Sequence, residues 1–260
     1  MRDAMRDARW LLSIATVCAA FLAMSQAAPA LNASPMFAFV VAFASIICAT
    51  LLTSWFAPAN KRALLWAIAP ALGLLWARGH DAFQSQSLVV LASLLMLGTL
   101  GGAAVGTRIQ AAGHLVFVAL ISSAADLFSV YSTLGPSAAM IETPTSLNLL
   151  VMPWPMLGTA AVAPILGVGD VVFASLYLSA ARTHRLNATR TLLALVAGFA
   201  LTFVALVIFE VPVPALPFLG LAVVASDART RQVPLADRKH GWIGAIVLVV
   251  VAAALARYRP

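Results

Sequence analysis

Apolar residues in this chain come in blocks of roughly membrane length, separated by short joints that carry charge, Pro or Gly. The blocks fall at about 10–28, 36–57, 62–78, 86–106, 113–134, 157–181, 190–210, 213–226 and 241–257. They predict nine membrane-spanning helices. The expected fold class is therefore all-α, a polytopic transmembrane bundle forming one integral membrane domain over residues 1–260. Residues 1–112 supply the N-terminal helices, 113–226 the helices that carry candidate chemistry, and 241–257 an extra C-terminal helix.

Composition sharpens this picture. With 62% hydrophobic and 10% charged residues, a water-soluble fold is excluded as a class. A net charge of +7 does not point to nucleic acid, because the basic residues are scattered among the joints. Their sidedness is informative instead. If the nine segments alternate, the side with the N-terminus and the joints near 61, 108, 182–190 and 227–240 holds thirteen of the sixteen Lys and Arg. Arg78, Arg257 and Arg259 fall on the other side. This bias predicts a cytoplasmic N-terminus and an outside position for the 135–156 joint. The prediction turns on residues 147–163, apolar but broken by Pro153 and Pro155 and followed by Pro164; a crossing there would invert everything after it. The first block has a basic start and a small-residue end at Ser25-Gln-Ala27, as a signal peptide does. Its length favours a retained first helix. Cys18 and Cys48 lie inside apolar segments and read as small hydrophobes. Four histidines without ligand spacing make no case for zinc, and no metal or other cofactor is expected.

Gly98, Gly102 and Gly106 recur at four-residue spacing beside Gly101, Ala103 and Ala104. Such a face lets another helix approach closely, as in GxxxG packing; a gating hinge is the functional alternative.

Seven of the nine acids sit at segment ends or in joints. Asp126 and Asp170 do not. Asp170 stands about mid-way along its apolar run, and an acid at bilayer depth is costly. Gly167 and Gly169 precede it, clearing side chains from its approach and loosening the backbone. Around Asp126, helical spacing puts Ser122, Ser123 and Ser129 on the same face. That polar seam either admits water or ties off the acid as interhelical glue. Two carboxylates held close in low dielectric share a proton. One then takes a proton from water while the other, protonated, polarises a carbonyl under attack.

The third element is Val211-Pro-Val-Pro-Ala-Leu-Pro-Phe218, whose three prolines prevent a regular helix start. Irregular backbone at membrane depth survives only where protein buries it or where it lines a cavity. It can also pair with an extended peptide by strand addition.

Together these elements resemble the presenilin and signal peptide peptidase family of intramembrane aspartyl proteases. That family has an Asp in one helix, Gly-x-Gly-Asp in the next and Pro-Ala-Leu near the C-terminus. Asp126 matches the first acid. Gly167, Gly169 and Asp170 match the second motif, and Pro214, Ala215 and Leu216 the third, which Pro217 extends to the Pro-Ala-Leu-Pro of presenilins. Gly135-Pro136 through Met140-Ile-Glu-Thr143 resembles the stretch after the first acid in presenilins. The resemblance covers about residues 120–226 and implies a presenilin-like helical core. It also implies that Asp126 and Asp170 are catalytic, and that Gly167, Gly169 and Pro214 to Pro217 shape the site and bind substrate. The implied partners are transmembrane helices or signal-peptide remnants within a lipid bilayer, in a prokaryotic inner membrane. The chain departs from the family at Ala125, where a Tyr is usual, in the segment after Pro-Ala-Leu, and in having four segments before the first acid instead of five. Its predicted orientation resembles that of signal peptide peptidase.

Three other readings fit parts of the pattern. A prepilin-type peptidase shares Gly-x-Gly-Asp, but a Lys usually follows that Asp, where this chain has Val171 and Val172. A transporter or channel would use the two acids as a proton or cation relay. An inactive relative would bind membrane helices without cutting them.

Overall fold

The computed structural model describes residues 2–58, 63–78, 83–131, 150–239, 241–244, 246 and 250. Within them the elements run α1 (Arg2–Ala27), α2 (Pro35–Phe56), α3 (Ala63–Trp66), α4 (Ile68–Arg78), α5 (Phe83–Gly106) and α6 (Leu115–Tyr131). Then come two strands, β1 (Val151–Pro155) and β2 (Val162–Gly167), and the helices α7 (Val168–Thr183), α8 (Ala188–Phe209) and α9 (Leu216–Ser226). The fold is mostly helical, as the block pattern predicts. Among the described residues, five helical stretches are long and apolar enough to cross a membrane: Ala4–Ala30, Pro35–Phe56, Ser87–Gly106, Ala112–Tyr131 and Ala188–Phe209. Along α8 the large side chains Leu193, Leu201, Val204 and Ile208 face outward, the surface expected against lipid.

Two expectations need correction. The 62–78 block is broken between α3 and α4, because the Pro70 ring clashes with the carbonyl four residues back, at Trp66. The expected helix over 157–181 starts only at Val168; the residues before it form an antiparallel hairpin with β1. Its prolines explain this. Pro153, Pro155 and Pro164 lack the donor a helix interior needs, whereas a strand tolerates Pro where the missing N–H points to a free edge. Gly158 turns the hairpin at φ +79°, a left-handed conformation glycine adopts without strain. Of the two cysteines, Cys48 faces outward and does not fill a core. The 135–143 stretch and most of 241–257 lie outside the described residues.

The chain forms two compact units, each built from two stretches. Unit 1 comprises Met1–Val105 with Thr145–Ser179, and unit 2 Gly106–Pro144 with Ala180–Pro260. In unit 1 the hairpin packs on α1 and α2. Gly158 N–H donates to the Ala28 carbonyl at 2.9 Å, at the connection between α1 and α2. Trp154 meets Phe21 edge-on, with ring centroids 5.8 Å apart. Phe21 is seven residues before Ala28, about 10 Å back along α1. The three further residues to the Val151–Gly167 pair add about 10 Å more. The hairpin thus carries Gly167 on the order of 20 Å inward from the connection.

Behind α7, the small face of α5 does what close packing requires. A Cβ on Gly98 would stand 2.9 Å from Val171 Cγ1, and one on Gly102 would overlap the Val172 carbonyl oxygen. A buried hydrogen-bond ladder crosses the same contact. Trp10 Nε1 donates to Thr99 Oγ1 at 3.2 Å, and Ser175 Oγ donates to the Thr99 carbonyl at 2.7 Å. The packing reading of the glycines accounts for Gly98 and Gly102; Gly101 faces open space.

In unit 2, α9 packs against both α6 and α8. Gly198 of α8 admits it, since a Cβ there would come within 2.9 Å of Leu219 Cδ2. At one end of this unit three joints meet. His184 Nε2 bonds the Ile109 carbonyl at 2.9 Å, Arg229 Nη2 donates to the Arg185 carbonyl at 3.1 Å, and Gly113 lies against Gln232. The joints near 108, 182–190 and 227–240 are therefore on the same end, as the alternation of segments requires. Of the 147–163 stretch, residues 151–163 belong to the hairpin and not to a helix.

Candidate functional site

Each of the three sequence elements is positioned by its own local logic. Asp126 lies on α6, eleven residues past Leu115, about 16 Å from the helix start. Leu216 opens α9, ten residues before its end at Ser226, which is about 15 Å. Both therefore stand near half the thickness of a bilayer core, measured from the end where the joints meet.

At that level the two elements touch. The Leu216 N–H donates to Asp126 Oδ2 at 2.9 Å, across ninety residues of sequence. The bond follows from how α9 begins. Its first backbone donors have no partner within the helix, Pro217 has no N–H, and Ala215 at the N-cap has no side chain to cap with. Phe218 and Leu219 find the Ala215 carbonyl, at 3.1 Å each. Leu216 is left needing an acceptor, and the carboxylate of a neighbouring helix supplies it; Ala215 N–H lies close enough to add a second contact. Pro214, Ala215 and Leu216 are buried, and Asp126 is half-buried. Residues 211–215 are irregular, as the prolines predict.

Two of the three serines on the Asp126 face, Ser122 and Ser123, do not tie off the acid. Ser122 and Ser123 both donate to the Ala119 carbonyl of their own helix, at 3.1 and 2.6 Å. Neither hydroxyl proton is available to Asp126. The acid is held by backbone.

Asp170 sits in the first turn of α7, not mid-way along a helix. That is the positive end of the helix dipole, a favourable place for a carboxylate. Gly167 closes β2, and a Cβ there would come within 3.6 Å of Asp170 Oδ2; Gly169 has nothing within 4 Å. A Cβ would therefore be accommodated at either position. Neither has a positive φ, so no unusual backbone requires glycine there. From Asp170 to the end of α7 at Thr183 is thirteen residues, about 20 Å.

Asp126 with Pro214 to Pro217 belongs to unit 2, and Gly167, Gly169 and Asp170 belong to unit 1. Two features escaped the sequence reading. The hairpin was signalled by Pro153 and Pro155, two apart, which is the period of a strand. The Trp10–Thr99–Ser175 ladder had no signal, since lone hydroxyls and a tryptophan in apolar runs carry no pairing information. No protein-family model, curated protein or solved structure matches the chain.

Proposed function

We propose that this chain is an intramembrane aspartyl endopeptidase, similar to the presenilin and signal peptide peptidase family, in which Asp126 and Asp170 form the acid–base dyad. The observation that carries the reading is the hydrogen bond from Leu216 N–H to Asp126 Oδ2. It ties the first candidate acid to the Pro-Ala-Leu segment, two motifs that the resemblance links and that the chain separates by ninety residues.

In this scheme the two carboxylates share one proton. The ionised one removes a proton from water, and the hydroxide adds to the scissile carbonyl. The protonated one hydrogen-bonds the carbonyl oxygen as it gains charge. Collapse of the tetrahedral intermediate breaks the C–N bond, and the proton taken from water passes to the leaving amine. The backbone amide of Leu216 keeps the Asp126 carboxylate oriented while its protonation changes. No cofactor enters the scheme.

A substrate helix has to unwind before its amides can be attacked. Extended backbone in β2, running directly into Gly-Val-Gly-Asp170, and the irregular stretch 211–215 beside Asp126 both offer hydrogen-bonding groups to an unwound segment. The substrates are single-span helices or signal-peptide remnants. The membrane is a prokaryotic inner membrane, with the N-terminus in the cytoplasm.

The test is cleavage. Wild type and Asp170→Asn, reconstituted in liposomes, are incubated with a panel of tagged single-span substrates. Product from wild type alone, blocked by a mimic of the tetrahedral intermediate, is the expected result. A fully active Asp170→Asn protein would overturn the dyad.

A further inference from the structure

At the end of unit 2 where the joints meet, Arg190 and Arg229 share one carboxylate and Arg185 lies in the adjoining turn. Arg229 donates to the Arg185 carbonyl at 3.1 Å and pairs with Asp227 at 3.1 Å, which draws the end of α9 to the turn between α7 and α8. Arg190, in the first turn of α8, is near enough to act electrostatically on the same Asp227 carboxylate. Other basic groups nearby are already engaged. Arg231 caps α9 by donating to the Val224 and Ala225 carbonyls, at 2.9 and 3.2 Å, and His184 bonds Ile109. The Arg185 and Arg190 side chains are exposed, and neither hydrogen-bonds another described residue. The Arg229 and Arg190 guanidinium groups act on the one Asp227 carboxylate, and Arg185 adds a third positive charge from the turn that Arg229 binds, so the cluster keeps an excess of about two positive charges with unused donors.

What lies beyond Arg190 identifies the ligand. Leu193, Leu201, Val204 and Ile208 follow it at helical spacing, 61%, 51%, 50% and 67% exposed, as one outward stripe along a helix long and apolar enough to span. A cationic cluster capping an apolar stripe is the complement of a molecule with an anionic head and a hydrocarbon tail. A free phosphate would use only the first half of that surface.

We propose that Arg185, Arg190 and Arg229 bind the phosphate of an anionic phospholipid headgroup, with an acyl chain lying along the Leu193–Ile208 stripe of α8. The site is separate from the two candidate acids and does not depend on the protease reading. It gives the α7–α8 turn a fixed partner in the membrane.

The experiment is lipid counting by native mass spectrometry. Full-length protein in mild detergent is titrated with phosphatidylglycerol, with phosphatidylcholine, and with inorganic phosphate as a competitor. Wild type should retain phosphatidylglycerol in preference to phosphatidylcholine, and millimolar phosphate should not displace it. The double variant R185Q/R190Q keeps the Arg229 contacts. It should lose about five-fold in retention per arginine, roughly thirty-fold for the pair. R185K/R190K, which keeps the charge, should recover most of the preference. R238Q/K239Q removes the same charge elsewhere in unit 2 and should leave the preference intact. Equal retention of the two lipids, an unaffected R185Q/R190Q, or an equal loss in R238Q/K239Q would each overturn the proposal. Displacement by inorganic phosphate would reassign the cluster to a soluble anion.

Discussion

Gly101 and Gly102 are neighbours on α5, yet alanine should move stability in opposite directions at the two positions. Both substitutions gain about 1 kcal/mol in helix propensity. At Gly101 nothing lies within 4 Å of the new Cβ, so most of that gain survives, about 0.5–1 kcal/mol. At Gly102 the Cβ would overlap the Val172 carbonyl oxygen and stand 2.8 Å from Ser175 Cβ and 2.9 Å from Leu176 N. These are mostly backbone atoms of α7, which no rotamer change can move aside. Restoring ordinary contact requires α5 and α7 to part by about 1 Å, an overpacking strain of about 1–3 kcal/mol. Parting them also stretches the 2.7 Å bond from Ser175 to Thr99, and interhelical bonds of this kind are worth about 0.6 kcal/mol on average in membranes. Because the propensity gain is common to both, the two alanine variants should differ by the strain and the weakened bond, about 1.5–3.5 kcal/mol. Unfolding by titration with a denaturing detergent in mixed micelles, followed by tryptophan fluorescence, measures it. If Gly102→Ala were as stable as Gly101→Ala, the close approach of α5 to α7 would be wrong.

Two further outcomes follow from single hydrogen bonds. Asp126→Ala should lose about 1–3 kcal/mol by leaving the Leu216 N–H without an acceptor, whereas Asp126→Asn keeps a side-chain oxygen and should lose less than about 1 kcal/mol; equal stability of the two variants in the same titration would remove the capping role. The Arg229 side chain beside Asp227 holds that carboxyl below its usual value, helped by the Arg229 backbone N–H. A lowered carboxyl stabilises the fold above its unfolded value of about 3.9, and the contribution fades as pH falls through the lower folded value. Arg229→Gln should accordingly be less stable than wild type at pH 6, with the gap closing on acidification below about pH 4; a gap unchanged by pH would show that packing, and not charge, sets it.

Much of the helical frame was legible because long uniform apolar runs admit one reading. The expected segments at 36–57, 86–106 and 190–210 match α2, α5 and α8 to within three residues at each end. Hydropathy failed at 157–167, where Val162 to Leu166 are as apolar in a strand as in a helix. The prolines at 153 and 155 carried the contrary signal. At Asp126 the sequence placed Ser122 and Ser123 on the correct face. Both hydroxyls nevertheless turn back to Ala119, because a carbonyl four or three residues earlier is always within reach in a helix. The bond from Leu216 to Asp126 was beyond reach of any pattern argument. It depends on two helices meeting ninety residues apart, and only the family resemblance associated them.

The interleaving of the two units has a consequence for how the protein is made. The shortest continuous stretch containing all of unit 1 runs from 1 to 179 and includes 106–144 of unit 2; the shortest containing unit 2 runs from 106 to 260 and includes 145–179 of unit 1. During synthesis, α1, α2 and α5 must wait in the membrane with the surfaces around Phe21, Gly98 and Gly102 unfilled until the hairpin and α7 emerge. By then α6 has already been made, without α8 and α9 to pack against. Unit 1 is complete once residue 179 has emerged, whereas unit 2 still needs 180–260, so chains truncated before 179 should be recognised by quality control as incomplete in both halves at once. The lipid bilayer, and not a finished subdomain, is the scaffold on which the early helices are held.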